Sequence, residues 1–191
     1  MKKLALLALI AAITYSCNNK STSIPIITSN NEHGQLEEIK LITNFSDSNY
    51  IEIQFYPNME IESLTEFQKG KEKGKYYRWR ENGNIALEAY KQNGKLDNTT
   101  REVHKNGRTM FEGKRKNNRF HGINNSFYPS GAIQKRWTRV NDKDLGKSIY
   151  YHENGFIKEF GEYTDSGYVL ISKWDSLGIV IKTKNDTLTQ N

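Results

Sequence analysis

The sequence predicts an all-β protein, a meander of stacked β-hairpins that repeat every 24 residues, and three observations lead to this fold class. Four glycines recur at one fixed period, at Gly83, Gly107, Gly131 and Gly155. An aromatic or β-branched residue stands four positions before each glycine, and a β-branched residue stands two positions after it. No stretch shows a sustained helical period. Such a repeat defines the architecture before any single residue does.

Each of the four glycines is expected to complete a hairpin turn. In residues 128–131, Pro129 excludes a type I′ turn, because proline holds φ near about −65° and this turn needs a positive φ there. A type I turn followed by a left-handed glycine accepts Pro, Ser or Asn centrally and favours glycine last. The flanking strands then pair so that Phe127 faces Ile133.

The period extends outward in weaker forms. Upstream, Met59 stands where glycine is expected, so that turn is either strained or built differently. Downstream, Gly178 closes a unit at a spacing of 23 residues, and Gly34 closes a degenerate first unit. A second set of turn formers marks the other end of each hairpin, at Gly74, Asn98, Gly122 and Gly146. About six units and about twelve strands result.

The N-terminus has the features of a bacterial lipoprotein signal. A basic start at Lys2 and Lys3 precedes an apolar run over residues 4–13, which is too short to span a bilayer as a helix. Cys17, the only cysteine, follows Ser16 and resembles the cleavage site at which the sulfur is lipidated. The alternative is an ordinary secretory signal with Cys17 incidental. Because no aspartate follows Cys17, the outer membrane is favoured in a proteobacterium.

These features divide the chain into four segments. Residues 1–16 are the predicted signal peptide, and the polar residues 17–29 form a flexible tether. The repeat domain covers residues 30–182, in which Leu36–Ile42 reads as either a short helix or a strand, and residues 183–191 form a frayed tail. The formal net charge is +6 with the charges scattered along the chain, so we expect no nucleic-acid partner.

The repeat unit carries a family resemblance. Residues 150–159 read Tyr-Tyr-His-Glu-Asn-Gly-Phe-Ile-Lys-Glu, and residues 79–88 and 127–134 match this pattern. Over about residues 50–182 the chain resembles the bacterial MORN-repeat variant, whose unit is an aromatic pair, then Asn-Gly, then an aliphatic residue. The resemblance implies an elongated, twisted, antiparallel single-layer sheet, antitoxin-like relatives, and a scaffold or membrane-associated binding role without catalytic residues. The glycine-rich pattern with a Tyr-x-Gly opening is not present.

The even period predicts two chemically different faces, because each repeat position then points to the same side in every unit. One face collects the aromatic and aliphatic rows in an apolar stripe, covered by sheet curl, by residues 24–45 or by a partner. The opposite face collects a row of residues that suit interfaces and sugar-binding surfaces, namely Tyr56, Arg80, His104, Tyr128 and His152. We interpret this row as a candidate binding face; the alternative is a hydrated strand face.

Catalytic and metal chemistry have little support in the sequence. His104 and His152 lie two units apart, roughly 19 Å, so they cannot share a metal ion. Glu88 and Glu112 lie one unit apart, roughly 10 Å, which favours a solvated face over a carboxylate pair. Signatures of hydrolases, metalloproteases and phosphate loops are not found in the chain. We expect no catalytic residues, no metal and no cofactor.

The first functional hypothesis is a lipid-anchored cell-envelope protein whose repeat sheet is a non-catalytic protein-binding or scaffold module. The alternative is an antitoxin or immunity protein that neutralises a toxin through the same sheet. A third hypothesis, an envelope enzyme, would require a deep pocket with clustered acid and base groups. The expected partners are the membrane, through a lipid on Cys17, and a protein that the sequence does not identify.

Overall fold

The computed structural model describes residues 24–42 and 48–184, and within them the chain is an antiparallel all-β meander. The chain divides into two compact units, Met1–Gly83 and Asn84–Asn191. Within each unit, every strand pairs antiparallel with its neighbours in the sequence, so strand order follows chain order. The predicted fold class of antiparallel hairpins in sequence order is confirmed.

The described residues form fourteen strands. The N-terminal unit contains β1 (Ile24–Asn30), β2 (Leu36–Ile42), β3 (Tyr50–Phe55), β4 (Ile61–Gln68) and β5 (Lys71–Trp79). The C-terminal unit contains β6 (Ile85–Gln92), β7 (Lys95–Val103), β8 (Thr109–Lys116), β9 (Arg119–Phe127), β10 (Ile133–Val140), β11 (Lys143–Tyr151), β12 (Ile157–Thr164), β13 (Gly167–Trp174) and β14 (Val180–Thr183). The two strands beyond the predicted twelve are β1 and β2, which arise because the degenerate first unit at Gly34 forms a hairpin as well.

The hydrophobic core of the N-terminal unit lies on one face of β2 to β5. Ile39 pairs with Ile53, and Ile53 pairs with Leu64, so these buried side chains share that face. Phe55 is buried beside them, and Ile61, Tyr77 and Trp79 pack against the cluster. Burying each large apolar side chain contributes about 1.5–3 kcal/mol. The predicted apolar stripe is therefore the core in this unit.

The predicted glycine turns share one hydrogen-bond pattern. Gly83, Gly107, Gly131 and Gly155 have φ between 80° and 91°, the positive value that a left-handed glycine requires. In the turn at Gly107, the glycine N–H donates to the His104 carbonyl (3.0 Å), and the His104 N–H donates to the Arg108 carbonyl (2.8 Å). Equivalent pairs of bonds form at Gly34, Gly131, Gly155 and Gly178. Phe127 faces Ile133, as the turn geometry predicts. We call these the bulged turns.

Met59 completes a bulged turn despite its side chain. Its φ is 69°, and its N–H donates to the Tyr56 carbonyl at 2.9 Å, as the glycines do in the other turns. Of the two alternatives, the strained turn is therefore the one that forms. A left-handed conformation costs an L-residue about 1–2 kcal/mol.

Replacing Met59 by glycine is expected to raise the free energy of unfolding by roughly 0.5–1 kcal/mol. The relief of backbone strain exceeds the entropy that glycine adds to the unfolded chain. Urea denaturation measures the change, and Met110→Gly is the control, because Met110 has similar exposure on β8 without a positive φ. The control should lose stability, and a loss in Met59→Gly as well would contradict the strain.

The opposite ends of the hairpins are closed by two-residue turns. Both central residues have φ between 51° and 77° in four of them, at Lys69-Gly70, Asn93-Gly94, Asn117-Asn118 and Asn141-Asp142. Positive φ at both positions defines a type I′ turn. Gly74, Asn98, Gly122 and Gly146 also have positive φ, but they lie inside strands where the pairing register shifts. This second set therefore forms β-bulges beside the turns.

Several predicted segments lie outside the described residues. These are the signal peptide 1–16, the lipidation residue Cys17, the tether up to residue 23, and the tail from residue 185. β1 begins at Ile24, within the segment interpreted as tether, and Leu36–Ile42 is a strand. In the part of the chain that is described, no helix has the length and apolar character needed to cross a bilayer.

Candidate functional site

The predicted binding row ties each hairpin to the next one. Each member is the first residue of a bulged turn, and four side chains reach a backbone carbonyl at the end of the next unit's strand. The bonds are Tyr56 Oη to Trp79 O (2.8 Å), His104 Nε2 to Phe127 O (3.0 Å), Tyr128 Oη to Tyr151 O (2.9 Å) and His152 Nε2 to Trp174 O (3.0 Å). A carbonyl only accepts, so each imidazole Nε2 carries the proton. Arg80 occupies the remaining position of the row.

A second set of hydrogen bonds between neighbouring repeats explains why asparagine precedes several of the turn glycines. The Asn106 amide donates to the Pro129 carbonyl of the next turn (2.7 Å), while its Oδ1 accepts the Arg108 N–H of its own turn (3.1 Å). Asn58 and Asn154 form the equivalent pairs of bonds. A single amide can both close a turn and bond to its neighbour, because it carries a donor and an acceptor. Side chains of the turns therefore connect adjacent repeats by hydrogen bonds.

Tyr128→Phe is expected to lower the free energy of unfolding by about 0.5–1.5 kcal/mol. The substitution removes only the hydroxyl that donates to the Tyr151 carbonyl and keeps the ring. Thermal or urea unfolding measures the loss, with Tyr90→Phe as the control, because no hydrogen bond from the Tyr90 hydroxyl is found among the described residues. Unchanged stability in Tyr128→Phe would show that the bond contributes nothing to stability.

A cluster of rings and charges, which the sequence analysis did not identify, lies on one face of the C-terminal unit. We call it the aromatic–cation cluster; its rings are Phe111, Phe120, Trp137, Tyr150, Tyr163 and Tyr168, and its charged members are Arg115, Lys135, Arg139, Asp144 and Glu159. The rings contact one another edge-on or tilted, at centroid distances from 4.9 to 6.3 Å. Such contacts stabilise beyond simple burial by about 0.5–1.5 kcal/mol each.

Lys135 lies at the centre of this cluster. Its ammonium lies 4.5 Å from the ring centroid of Trp137 and 4.8 Å from that of Tyr150, and it donates to the Tyr163 hydroxyl at 3.1 Å. Burial lowers the pKa of Lys135, but hydrogen bonds to the hydroxyls of Tyr150 and Tyr163 outweigh burial and raise it. Lys135 is therefore a charged ammonium at neutral pH, held by cation–π contacts.

Asp144 joins Trp137 to the cations. Its Oδ1 accepts the Trp137 Nε1–H at 3.0 Å and the Arg139 Nε–H at 2.7 Å, while Oδ2 lies 3.8 Å from the Lys135 ammonium. The Asp144 and Lys135 side chains are mostly buried, so their attraction is less screened than that of a surface pair. The carboxylate therefore fixes the orientation of the indole ring.

In three consecutive hairpins, the side chains at the same two repeat positions contact each other, but each pair interacts in a different way. Phe111 and Phe120 form an aromatic pair with centroids 5.0 Å apart, and Lys135 and Asp144 form an ion pair 24 residues later. After another 24 residues, the Tyr168 hydroxyl donates to Glu159 at 2.9 Å. The geometry repeats while the residue types change. A search for one residue type at one period therefore does not find this cluster, although a search for compatible pairs would.

The cluster covers a row of small and polar residues at the middle of the strands. Thr100, Asn124 and Ser148 are fully buried at 24-residue spacing, and they pair with Gly113 or Gly161 on a neighbouring strand. A Cβ on Gly113 would meet the Phe111 ring, and a Cβ on Gly161 would meet the Tyr168 ring. These glycines therefore leave room for rings to lie over the sheet.

Two tyrosine hydroxyls of this cluster are less acidic than a free tyrosine side chain. Burial raises the pKa of Tyr163, and burial with the hydrogen bond to Glu159 raises the pKa of Tyr168, so both hydroxyls stay protonated at neutral pH. A groove of about 530 Å³ lies beside the cluster, lined mainly by apolar groups that include Met110 and Phe127. Within the described residues, no group of three or more His, Cys, Asp or Glu could hold a metal ion.

A group of exposed large apolar side chains lies on the last two bulged turns and strands. We call it the apolar patch; its members are Phe156, Ile157, Leu177, Ile179, Val180 and Ile181, between 40% and 75% exposed. A Cβ on Gly178 would lie 3.4 Å from the Phe156 ring, so the two turns touch at this point. Ile157 and Val180 belong to the predicted apolar stripe, which is thus exposed at this end.

Comparison of the chain with protein-family models and with curated proteins gives no match. The resemblance to the bacterial MORN-repeat variant therefore stays a prediction from the residues of the repeat.

Proposed function

We propose that this protein is a non-catalytic protein-binding or scaffold module of the bacterial cell envelope, anchored through a lipid on Cys17. The anchor rests on the sequence of residues 1–17, with its basic start, short apolar run and single cysteine. The binding role rests on the apolar patch. The two parts are separable, and each has its own experiment.

The apolar patch is the observation that carries the binding role. Leu177 is 75% exposed, and five other large apolar side chains on the same two adjacent hairpins are at least 40% exposed. The two turns approach each other where Phe156 lies beside Gly178. Monomeric proteins rarely expose apolar side chains in one continuous patch unless another molecule covers them. Polar turn residues such as Asn154 and Ser176 border the patch, and the Asn154 amide donates to the Ser176 carbonyl. An apolar centre with a polar rim is the anatomy of a protein interface.

A capture experiment tests the binding role. The protein is cross-linked in its native envelope, and its partners are quantified for the parent, for Leu177→Lys with Ile181→Lys, and for a control with Ile123→Lys and Leu145→Lys. The control residues are similarly exposed but lie outside the patch. We expect one partner to be retained by the control and lost from the patch variant. Equal recovery from all three would contradict the proposal, and a captured toxin that is inhibited on binding would make the module an antitoxin or immunity protein.

Cys17→Ser tests the anchor. The variant should lose incorporation of a labelled fatty acid and should leave the membrane fraction, whereas Ser16→Gly, which keeps a small residue before the cysteine, should retain both. In a proteobacterium, the labelled parent should sediment with the outer membrane. Complete membrane association of Cys17→Ser without any lipid label would contradict lipid anchoring while leaving the binding role unaffected.

A further inference from the structure

A basic residue follows each of four two-residue turns at the same repeat position. Lys71 lies in the N-terminal unit, and Lys95, Arg119 and Lys143 lie in the C-terminal unit, each 24 residues after the one before. All four residues are exposed. The basic residues look scattered along the sequence. Because these four are spaced by the 24-residue period, however, each lies at the same end of its own hairpin.

Hydrogen bonds between successive turns set the spacing of the three cations in the C-terminal unit. The Asn118 N–H donates to the Leu96 carbonyl (2.8 Å), and the Leu96 N–H donates to Asn118 Oδ1 (2.6 Å). Asp142 and Phe120 form the same two bonds one repeat later, at 3.0 and 2.8 Å. Each cation stands next to a bonded residue and is two strands from the next cation. Two strand spacings place neighbouring cations about 10 Å apart.

The carboxylates at this edge accept hydrogen bonds from backbone N–H groups. Asp97 accepts the Asn98 N–H at 2.9 Å and the Asn117 N–H at 3.3 Å, and Asp142 accepts the Phe120 N–H. Among the described residues, no ion pair involves Lys95, Arg119 or Lys143. Lys114, Lys116 and His121 line an adjoining open groove of about 630 Å³. Within the described part of the chain, the edge therefore presents three cations that are not held in ion pairs, beside two carboxylates that are held by backbone N–H groups.

We propose that this edge of the C-terminal unit binds an acidic, extended segment of a protein partner, with its carboxylates against Lys95, Arg119 and Lys143. A chain in the extended polyproline II conformation advances about 9–10 Å per three residues and completes one turn in that length, so carboxylates at every third residue lie on one side at the cation spacing. The proposal concerns a different surface from the apolar patch and does not depend on it.

Side-chain amides favour a peptide over other polyanions. Asn93, Asn117 and Asn141 occupy the first position of the same three turns, and all are exposed. An amide donates and accepts, which suits a peptide backbone, whereas phosphate oxygens only accept. Each nucleic-acid strand carries a charge about every 3.4 Å, roughly three times the density of this row. The cations and the amides together thus fit an acidic peptide.

Binding of a labelled peptide of Glu-Pro-Pro triplets to the purified protein tests the proposal. The proline residues hold the peptide in an extended conformation, and a second peptide of the same composition carries its glutamates in one block. We expect the triplet peptide to bind more tightly than the block peptide and to weaken as salt rises from roughly 50 to 200 mM. Equal binding of the two peptides would overturn the spacing argument.

Charge-matched variants localise the site. Lys95→Gln, Arg119→Gln and Lys143→Gln together should weaken binding by about tenfold, because three exposed ion pairs are lost. Lys105→Gln, Lys147→Gln and Lys158→Gln remove the same charge from exposed positions elsewhere in this unit and should leave binding nearly unchanged. Leu177→Lys with Ile181→Lys should also leave it unchanged. Equal loss in both triple variants, or an edge that binds anionic vesicles or RNA but not the triplet peptide, would overturn the proposal.

Discussion

Replacing Trp137 by alanine should lower the free energy of unfolding by about 3–5 kcal/mol, as expected for deletion of a buried indole. Trp137 is only 7% exposed and contacts Phe111, while Lys135 and Arg139 lie over its ring. Its removal opens a cavity at the centre of the aromatic–cation cluster and leaves Asp144 without one of its donors. Urea denaturation followed by circular dichroism measures the loss.

Trp137→Phe is the matched control for this prediction. A smaller aromatic ring remains, while part of the buried volume and the Nε1–H that donates to Asp144 are lost, so the expected loss is smaller, about 1–2 kcal/mol. Asp144 retains Arg139 and Lys135 as partners in this variant. A loss below about 1 kcal/mol in Trp137→Ala would mean that the cluster does not form the packed centre of the C-terminal unit.

Gly161→Ala should destabilise the protein by about 1–3 kcal/mol, although alanine normally suits a strand better than glycine. The added Cβ would lie 2.6 Å from the Val169 carbonyl oxygen and against the Tyr168 ring. The φ of Gly161 is not positive, so the expected loss arises from packing and not from backbone strain. Thermal unfolding of the purified variant measures it.

A Tyr168→Ala background separates the two contacts at Gly161. The ring is absent there, while the Val169 carbonyl remains, so Gly161→Ala should cost less than in the parent without becoming neutral. The difference between the two backgrounds gives the share of the penalty that the ring causes. An equal loss in both backgrounds would show that only the backbone contact matters.

Turn chemistry was the most predictable part of the molecule. A proline at position 129 and glycines at a constant period restrict the backbone locally, so the bulged turns and the Phe127–Ile133 pair follow from a few neighbouring residues. The outer hairpins at Gly34 and Gly178 form by the same local rules. The two-residue turns contain residues that tolerate positive φ, but the bulges beside them depend on pairing between strands.

The roles of individual side chains were much less predictable. Tyr128 and His104 fit a binding surface by residue type, yet each bonds to a carbonyl one repeat away, and this contact depends on how closely hairpins stack. Repeated residue types do not predict the aromatic–cation cluster, because Phe111, Lys135 and Glu159 occupy the same repeat position but differ in chemistry. The edge that carries Lys95, Arg119 and Lys143 did have a sequence signal, the 24-residue spacing of these cations.

The sequence alone determined the hairpin architecture, because φ preferences and strand alternation act over only a few residues and recur with each repeat. The tertiary structure alone decided which face carries which chemistry. It stacked successive hairpins so that turn side chains bond to neighbouring turns, gathered Lys135 and Asp144 around Trp137, and left Leu177 and its neighbours uncovered. Contacts between repeats depend on distances that no local preference specifies, and those distances decided which side chains remain available to a partner.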